Sequence, residues 1–180
     1  AIIEVHQPTN NDALKIAYYR LKFDEYFFLQ LVLAINKYQL NSFKGKTFPE
    51  LGDYAKSMYK SLDFKLTNAQ IKVLREIRED LASNKPMNRL VQGDVGCGKT
   101  VVAMLTASII VGNGSQVAIM APTEILAEQH YDSFIKYCND LGITCEILIS
   151  NIKDKEKKYI YKQLKNGEIQ IIVGTHALIQ

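Results

Sequence analysis

Two patterns of apolar positions divide the chain, and they change over near Phe64. Before it, Leu14, Ala17, Tyr18 and Leu21 recur at three- and four-residue spacing, which predicts one long helix, or two abutting ones, from about Asn11 to Tyr38. Asn11 or Asp12 offers a side-chain oxygen to the free N–H groups at its start. From Phe27 to Ile35 apolar residues run nearly all the way round, so this stretch is expected to be buried, with neighbours on several sides. The next segment, Asn41 to Asp63, mixes glycine, lysine, proline and serine and reads as a connecting arm.

Beyond Phe64 helical and strand periods alternate. Ile71, Leu74, Ile77, Arg78 and Leu81 place an amphipathic helix within Thr67–Asn84. "RLVQ" (Arg89–Gln92) reads as a short strand, followed by a helix from Lys99 to about Val111. "QVAIMA", "TCEILIS" and "IQIIVGT" read as further strands, with helices from about Glu124 to Leu141 and across "KDKEKKYIYKQLKNG" between them. Short β-branched runs separated by helices are βαβ units, which predicts the α/β class: a parallel sheet with flanking helices, preceded by a helical region. The expected division is a helical linker over residues 1–61 and an α/β lobe over 62–180.

Composition narrows the possibilities. At 47% hydrophobic and 23% charged residues, the chain has the make-up of a soluble globular protein. Its 180 residues suffice for one domain, or one plus a helical attachment. A formal charge of +3 permits a nucleic-acid partner without requiring one. Cys97, Cys138 and Cys145 form no CxxC spacing, so free thiols are expected, with no disulfide partner and no structural zinc. The N-terminal "AIIEVHQPTNND" is not a signal peptide, and the apolar run Tyr26–Ile35 is about half a membrane span. A cytoplasmic location away from membranes is therefore expected. The lysines of "KDKEKKYIYKQLK" alternate with Asp154 and Glu156 and suit a solvated helix rather than a nucleic-acid patch.

The chemistry concentrates in "RLVQGDVGCGKTVVAML" (Arg89–Leu105), where Gly93, Gly98, Lys99 and Thr100 fit the phosphate-loop spacing G-x-x-x-x-G-K-[ST]. Glycines let the backbone of Gly93, Asp94, Val95, Gly96, Cys97 and Gly98 curl its N–H groups toward phosphate oxygens at a helix N-terminus. Lys99 is expected to reach the β and γ phosphates of ATP, and the Thr100 hydroxyl to ligate Mg²⁺; these are the two candidate catalytic residues. Cys97 has no histidine partner in reach of the pattern and is not expected to be a nucleophile. Upstream, in "FKLTNAQ", Thr67 and Gln70 match a capping box. Gln70 also matches a residue that hydrogen-bonds an adenine edge with an aromatic nearby, and both readings stand.

Taken in order, "F-x-L-T-x-x-Q", "GDVGCGKT", "APTEILAEQH" and "GTHALIQ" resemble the first half of a superfamily 2 helicase core, and more closely the RecG-type ATP-dependent DNA helicases. "RLKFDEYFFLQL" (Arg20–Leu31) resembles the helical segment that joins the DNA-binding wedge of those helicases to the motor. The resemblance implies an incomplete first RecA-like lobe. It implies Gln70 as adenine sensor with Phe64 as its packing partner, and Gly93–Thr100 as the phosphate loop. It places DNA-backbone contacts at Pro122, Thr123 and Glu124, with Leu126, Ala127 and Gln129 in the following helix, and at Gly174, Thr175 and His176. The expected partner is branched duplex DNA, in stalled forks and Holliday junctions, in the bacterial cytoplasm and nucleoid. "ISNIKD" stands where the family carries a Thr-Gly-Ser-like turn, so no DNA contact is carried over to Ser150 or Asn151. A D-E-x-H motif and a second motor lobe are expected outside these residues, so the 180 residues are expected to bind ATP or ADP without turnover. A transcription-repair coupling translocase, a P-loop phosphotransferase and a nucleotide-sensing module are the alternatives.

Overall fold

The structure, a computed structural model, describes residues 1–179, apart from the side chains at 40 and 41. Gln180, which closes the "GTHALIQ" motif, lies outside the described residues. Contacts divide the chain into two compact units that meet at Lys44 and Gly45.

The first unit holds α1 (Ile2–His6) and α2 (Asn11–Ser42). The Glu4 carboxylate accepts hydrogen bonds from the Thr9 backbone N–H at 3.0 Å and from the Thr9 hydroxyl at 2.8 Å, which fixes the turn between the two helices. Those bonds favour the ionised form and hold the Glu4 carboxyl below its ordinary value. The cap of α2 is Asn10, whose side-chain oxygen accepts from the Ala13 N–H at 2.8 Å, rather than the expected Asn11 or Asp12. α2 is a single helix, and it runs past the expected end at Tyr38. Its apolar belt is not buried as expected: Phe28 is 60% exposed, Leu29 55% and Leu33 52%. The reason is the size of the unit, since one five-residue helix cannot cover all sides of a long one. Ala17 is its one buried hydrophobic residue among those described.

The second unit contains α3 (Gly52–Lys60), α4 (Asn68–Ala82), α5 (Lys99–Gly112), β1 (Val117–Met120), α6 (Glu124–Leu141), β2 (Cys145–Leu148), α7 (Asp154–Asn166) and β3 (Ile171–Gly174). A short 3-10 turn, His176–Leu178, follows. The strands form a parallel sheet in the order β1-β3-β2, with Val117 and Cys145 both opposite Ile171, and Met120 and Leu148 both opposite Gly174. The central strand β3 is buried along its whole length. Ile171 and Val173 face a core shared with Phe134 and Ala127 of α6 and Leu105 of α5, while Ile172 faces Ile160 of α7. Alternate side chains thus serve opposite faces, as a strand covered on both sides requires.

Two expectations fail here for physical reasons. The Asn41–Asp63 arm contains helix α3, because Ala55 and Met58 turn inward against the core and offset the poor helix propensity around them. Helix α3 and the α/β elements share one compact unit. Arg89–Gln92 is not a strand: no neighbour among the described residues offers it a ladder of hydrogen bonds, and Leu90 is 89% exposed. It is held by side chains instead. Arg89 donates to Asp80 and to Glu76 of α4, each at 2.6 Å, and these bonds push its guanidinium above its ordinary value.

Candidate nucleotide site and strand-end surface

The sequence "GDVGCGKT" forms a tight loop leading into α5. Gly96 and Gly98 have φ of +80° and +83°, a region that costs other residues about 1–2 kcal/mol, and Gly98 opens the helix. The first N–H groups of α5 have no acceptor within the helix, so the loop ends in unpaired donors and the positive end of a dipole. The Lys99 ammonium folds back over the loop and donates to the carbonyls of Gly93 and Asp94, each at 2.8 Å, with the Cys97 sulfur 3.8 Å away. Thr100 is half-buried in the first turn of α5, whereas Val95 at the loop tip is wholly exposed. Donors, a cation and a hydroxyl gathered on one turn suit a polyphosphate and its counter-ion. Among the described residues no cluster of three or more His, Cys, Asp or Glu side chains could hold a metal by itself.

Gln70 serves two masters. Its Oε1 accepts from the Thr67 N–H at 2.8 Å, and the Thr67 hydroxyl accepts from the Gln70 N–H at 3.2 Å, which completes the capping box at the start of α4. Its Nε2 donates to the Cys97 carbonyl at 2.9 Å, which the capping reading did not foresee. That amide presses on the phosphate loop closely enough that a Cβ at Gly98 would strike it. Phe64 is 48% exposed.

The second group of expected residues lies at the C-terminal ends of the strands. The register aligns Met120, Gly174 and Leu148, so the loops that follow them share one edge of the sheet. The Ala121 N–H donates to the Gly174 carbonyl at 2.8 Å, which brings Pro122–Glu124 beside Gly174–His176. Gly174 has no room for a side chain, since a Cβ would strike the Leu148 carbonyl. Thr123 caps α6 by accepting from the Leu126 N–H at 3.3 Å. Pro122, Thr123, Leu126, Gln129 and His176 are exposed, Thr175 is half-buried, and Ala127 is buried in the core.

Glu124 does something that its motif did not reveal. Its carboxylate accepts from the Ser150 N–H at 2.9 Å and from the Asn151 amide at 3.3 Å. The turn after β2 is thereby tied to the loop after β1, although the two are far apart in sequence. Of the three cysteines, Cys97 is exposed, while Cys138 of α6 and Cys145 of β2 are buried. The Cys145 thiol, in hydrogen-bonding contact with Cys138, is pushed well up by that contact and by burial.

A glycine loop that opens a helix, in a unit whose parallel sheet is covered on both faces of its central strand, has the form of a P-loop unit. The DEAD/DEAH box helicase family model matches residues 67–180, and the chain belongs to that family. Over 99% of its length it is 42% identical to the ATP-dependent DNA helicase RecG of Aquifex aeolicus, covering 23% of that protein. It is 43% identical over its full length to the enzyme of the same name from Bacillus subtilis, covering 26% of it. The solved structure of RecG bound to a three-way DNA junction superposes with a TM-score of 0.84 at 43% identity, over 93% of this chain and 23% of that one. The chain thus spans about a quarter of the length of the curated relatives it matches.

Proposed function

We propose that these residues form the nucleotide-binding part of a longer ATP-driven DNA helicase that remodels branched DNA at stalled forks and Holliday junctions in recombination and repair. The observation that carries this reading is the hydrogen bond from Gln70 to the Cys97 carbonyl, which couples the base-recognition segment directly to the phosphate loop. Lys99 leaves the Gly93 and Asp94 carbonyls for the β and γ phosphates of ATP, an exchange of dipole contacts for a charge-assisted pair. Thr100 supplies a hydroxyl to the Mg²⁺ that accompanies the nucleotide. Gln70 then reads the adenine edge beside Phe64. The Asp94, Val95, Gly96 and Cys97 backbone wraps the phosphates.

Pro122, Thr123, Glu124 and Gln129, together with Gly174, Thr175 and His176, form the DNA-facing edge. The exposed Thr123 hydroxyl, Gln129 amide and His176 ring suit phosphate contacts, which position a duplex without reading its sequence. The protein works on nucleoid DNA in the bacterial cytoplasm, a location in keeping with the chemistry of its partner. Among the described residues no helix is long and apolar enough to cross a membrane.

Hydrolysis of ATP by the longer protein in the presence of a three-way junction tests the reading. Lys99→Ala should abolish junction-dependent phosphate release while junction binding persists. Unchanged turnover in that variant would refute it. The 180 residues alone should bind nucleotide without releasing phosphate.

A further inference from the structure

A cavity of about 460 Å³ opens between α3, α4 and α5, within the second unit. None of its lining residues belongs to the phosphate loop or to the strand-end surface, and neither Gln70 nor Phe64 reaches it. Its floor is apolar and buried, built on Leu66, Leu105 and Ile109, with half-exposed Tyr59 as one wall. That volume falls within the range of about 300–1,000 Å³ typical of ligand sites.

The rim has the opposite character. Lys60 of α3 and Arg75 and Arg78 of α4 line the same opening, and among the described residues no carboxylate lies within ion-pair distance of any of the three. Lys56 adds a fourth cation, already paired with Asp53 at 3.3 Å. We infer that this cavity is a docking site for an acidic peptide segment of a partner protein, one that seats a leucine- or phenylalanine-sized side chain on the floor and pairs several carboxylates with Lys60, Arg75 and Arg78.

Charge and shape select that occupant. A nucleic-acid backbone would satisfy the cations but leave the apolar floor unfilled. A fatty acid would fill the floor but bring one carboxylate to cations spread over two helices. An acidic segment with an apolar anchor does both. Burial of the anchor supplies affinity, and the rim pairs, exposed and screened by salt, supply selectivity and encounter rate. The site is independent of the nucleotide reading, since α4 and α5 offer these side chains whether or not the phosphate loop is filled.

The experiment is fluorescence anisotropy of the 180-residue chain with a fluorescein-labelled decapeptide alternating glutamate with leucine and phenylalanine. Saturable binding is expected, weakening about tenfold in Arg78→Glu or Lys60→Glu and about fivefold in Tyr59→Ala, three exposed positions whose replacement spares the core. Replacing the peptide's leucine and phenylalanine by serine should also lose about tenfold. Equal binding of the serine peptide would reduce the effect to charge alone and overturn the proposal. So would equal binding by all three variants, absence of any binding, or binding of dodecanoate in place of the peptide.

Discussion

Helices α2 and α5 are both rich in apolar residues, yet they meet opposite fates. In α5 Val102, Met104, Leu105, Ala107, Ile109 and Val111 are all buried, because α3 and α4 pack on one side and the sheet lies on another. In α2 the Phe27–Ile35 belt stays open within its unit, and the contacts at its start are local: the Phe23 and Phe27 rings stack at 5.8 Å and Phe28 meets Phe27 edge-on at 5.6 Å. An apolar circumference therefore states a demand for neighbours, not where they are. The site-bearing helix α5 has its demand met by residues of its own unit, which is what lets Lys99 and Thr100 sit on a rigid first turn.

That contrast can be broken most sharply by truncation. Leu105→Ala should destabilise the second unit by about 3 kcal/mol, as buried leucines do, whereas Leu29→Ala or Leu33→Ala in α2 should cost below about 1 kcal/mol. Urea unfolding of the three variants measures both. A next smaller effect concerns the entrance to α5. Gly98→Ala forces a side chain into a left-handed position against the Gln70 amide and should cost about 1–2 kcal/mol, with loss of nucleotide binding. Gln70→Ala removes half of the capping box and the tie to the Cys97 carbonyl, for about 1 kcal/mol, and should narrow the preference for ATP over GTP. Persistence of that preference would leave Gln70 as a cap tied to the loop, with no part in base recognition.

The smallest effect lies in the first unit. Because the folded Glu4 carboxyl is held below its ordinary value of 4.5, its contribution is present above that value and lost as the pH falls through the folded value. Exchange of the Thr9 amide hydrogen should accordingly lose its relative protection on acidification. Unaltered protection across that window would show that the turn does not depend on the carboxylate.

Much of the second unit was legible because its signals are local. The phosphate loop is carried by glycines and a lysine at fixed spacing, and the expected Glu124 to Leu141 helix is α6, which ends at Gly142 in left-handed conformation. What escaped the sequence depends on partners distant along the chain. α3 exists because Ala55 and Met58 find the core, and Arg89–Gln92 lacks a strand because a ladder needs a neighbour that periodicity cannot supply. The Glu124 carboxylate could be read as part of a motif, but its hold on Ser150 and Asn151 spans more than a helix and a strand. Gln70 shows the middle case: the capping box was visible in "TNAQ", while its second bond required the loop to be folded beside it.

Calorimetric titration of ADP with Mg²⁺ into the chain decides whether the loop around Lys99 is a nucleotide site. Saturable binding is expected for the native sequence, with a loss of about a hundredfold, roughly 3 kcal/mol, in Lys99→Ala with unfolding unchanged. Equal affinity in the two proteins, or no binding by either, would contradict it.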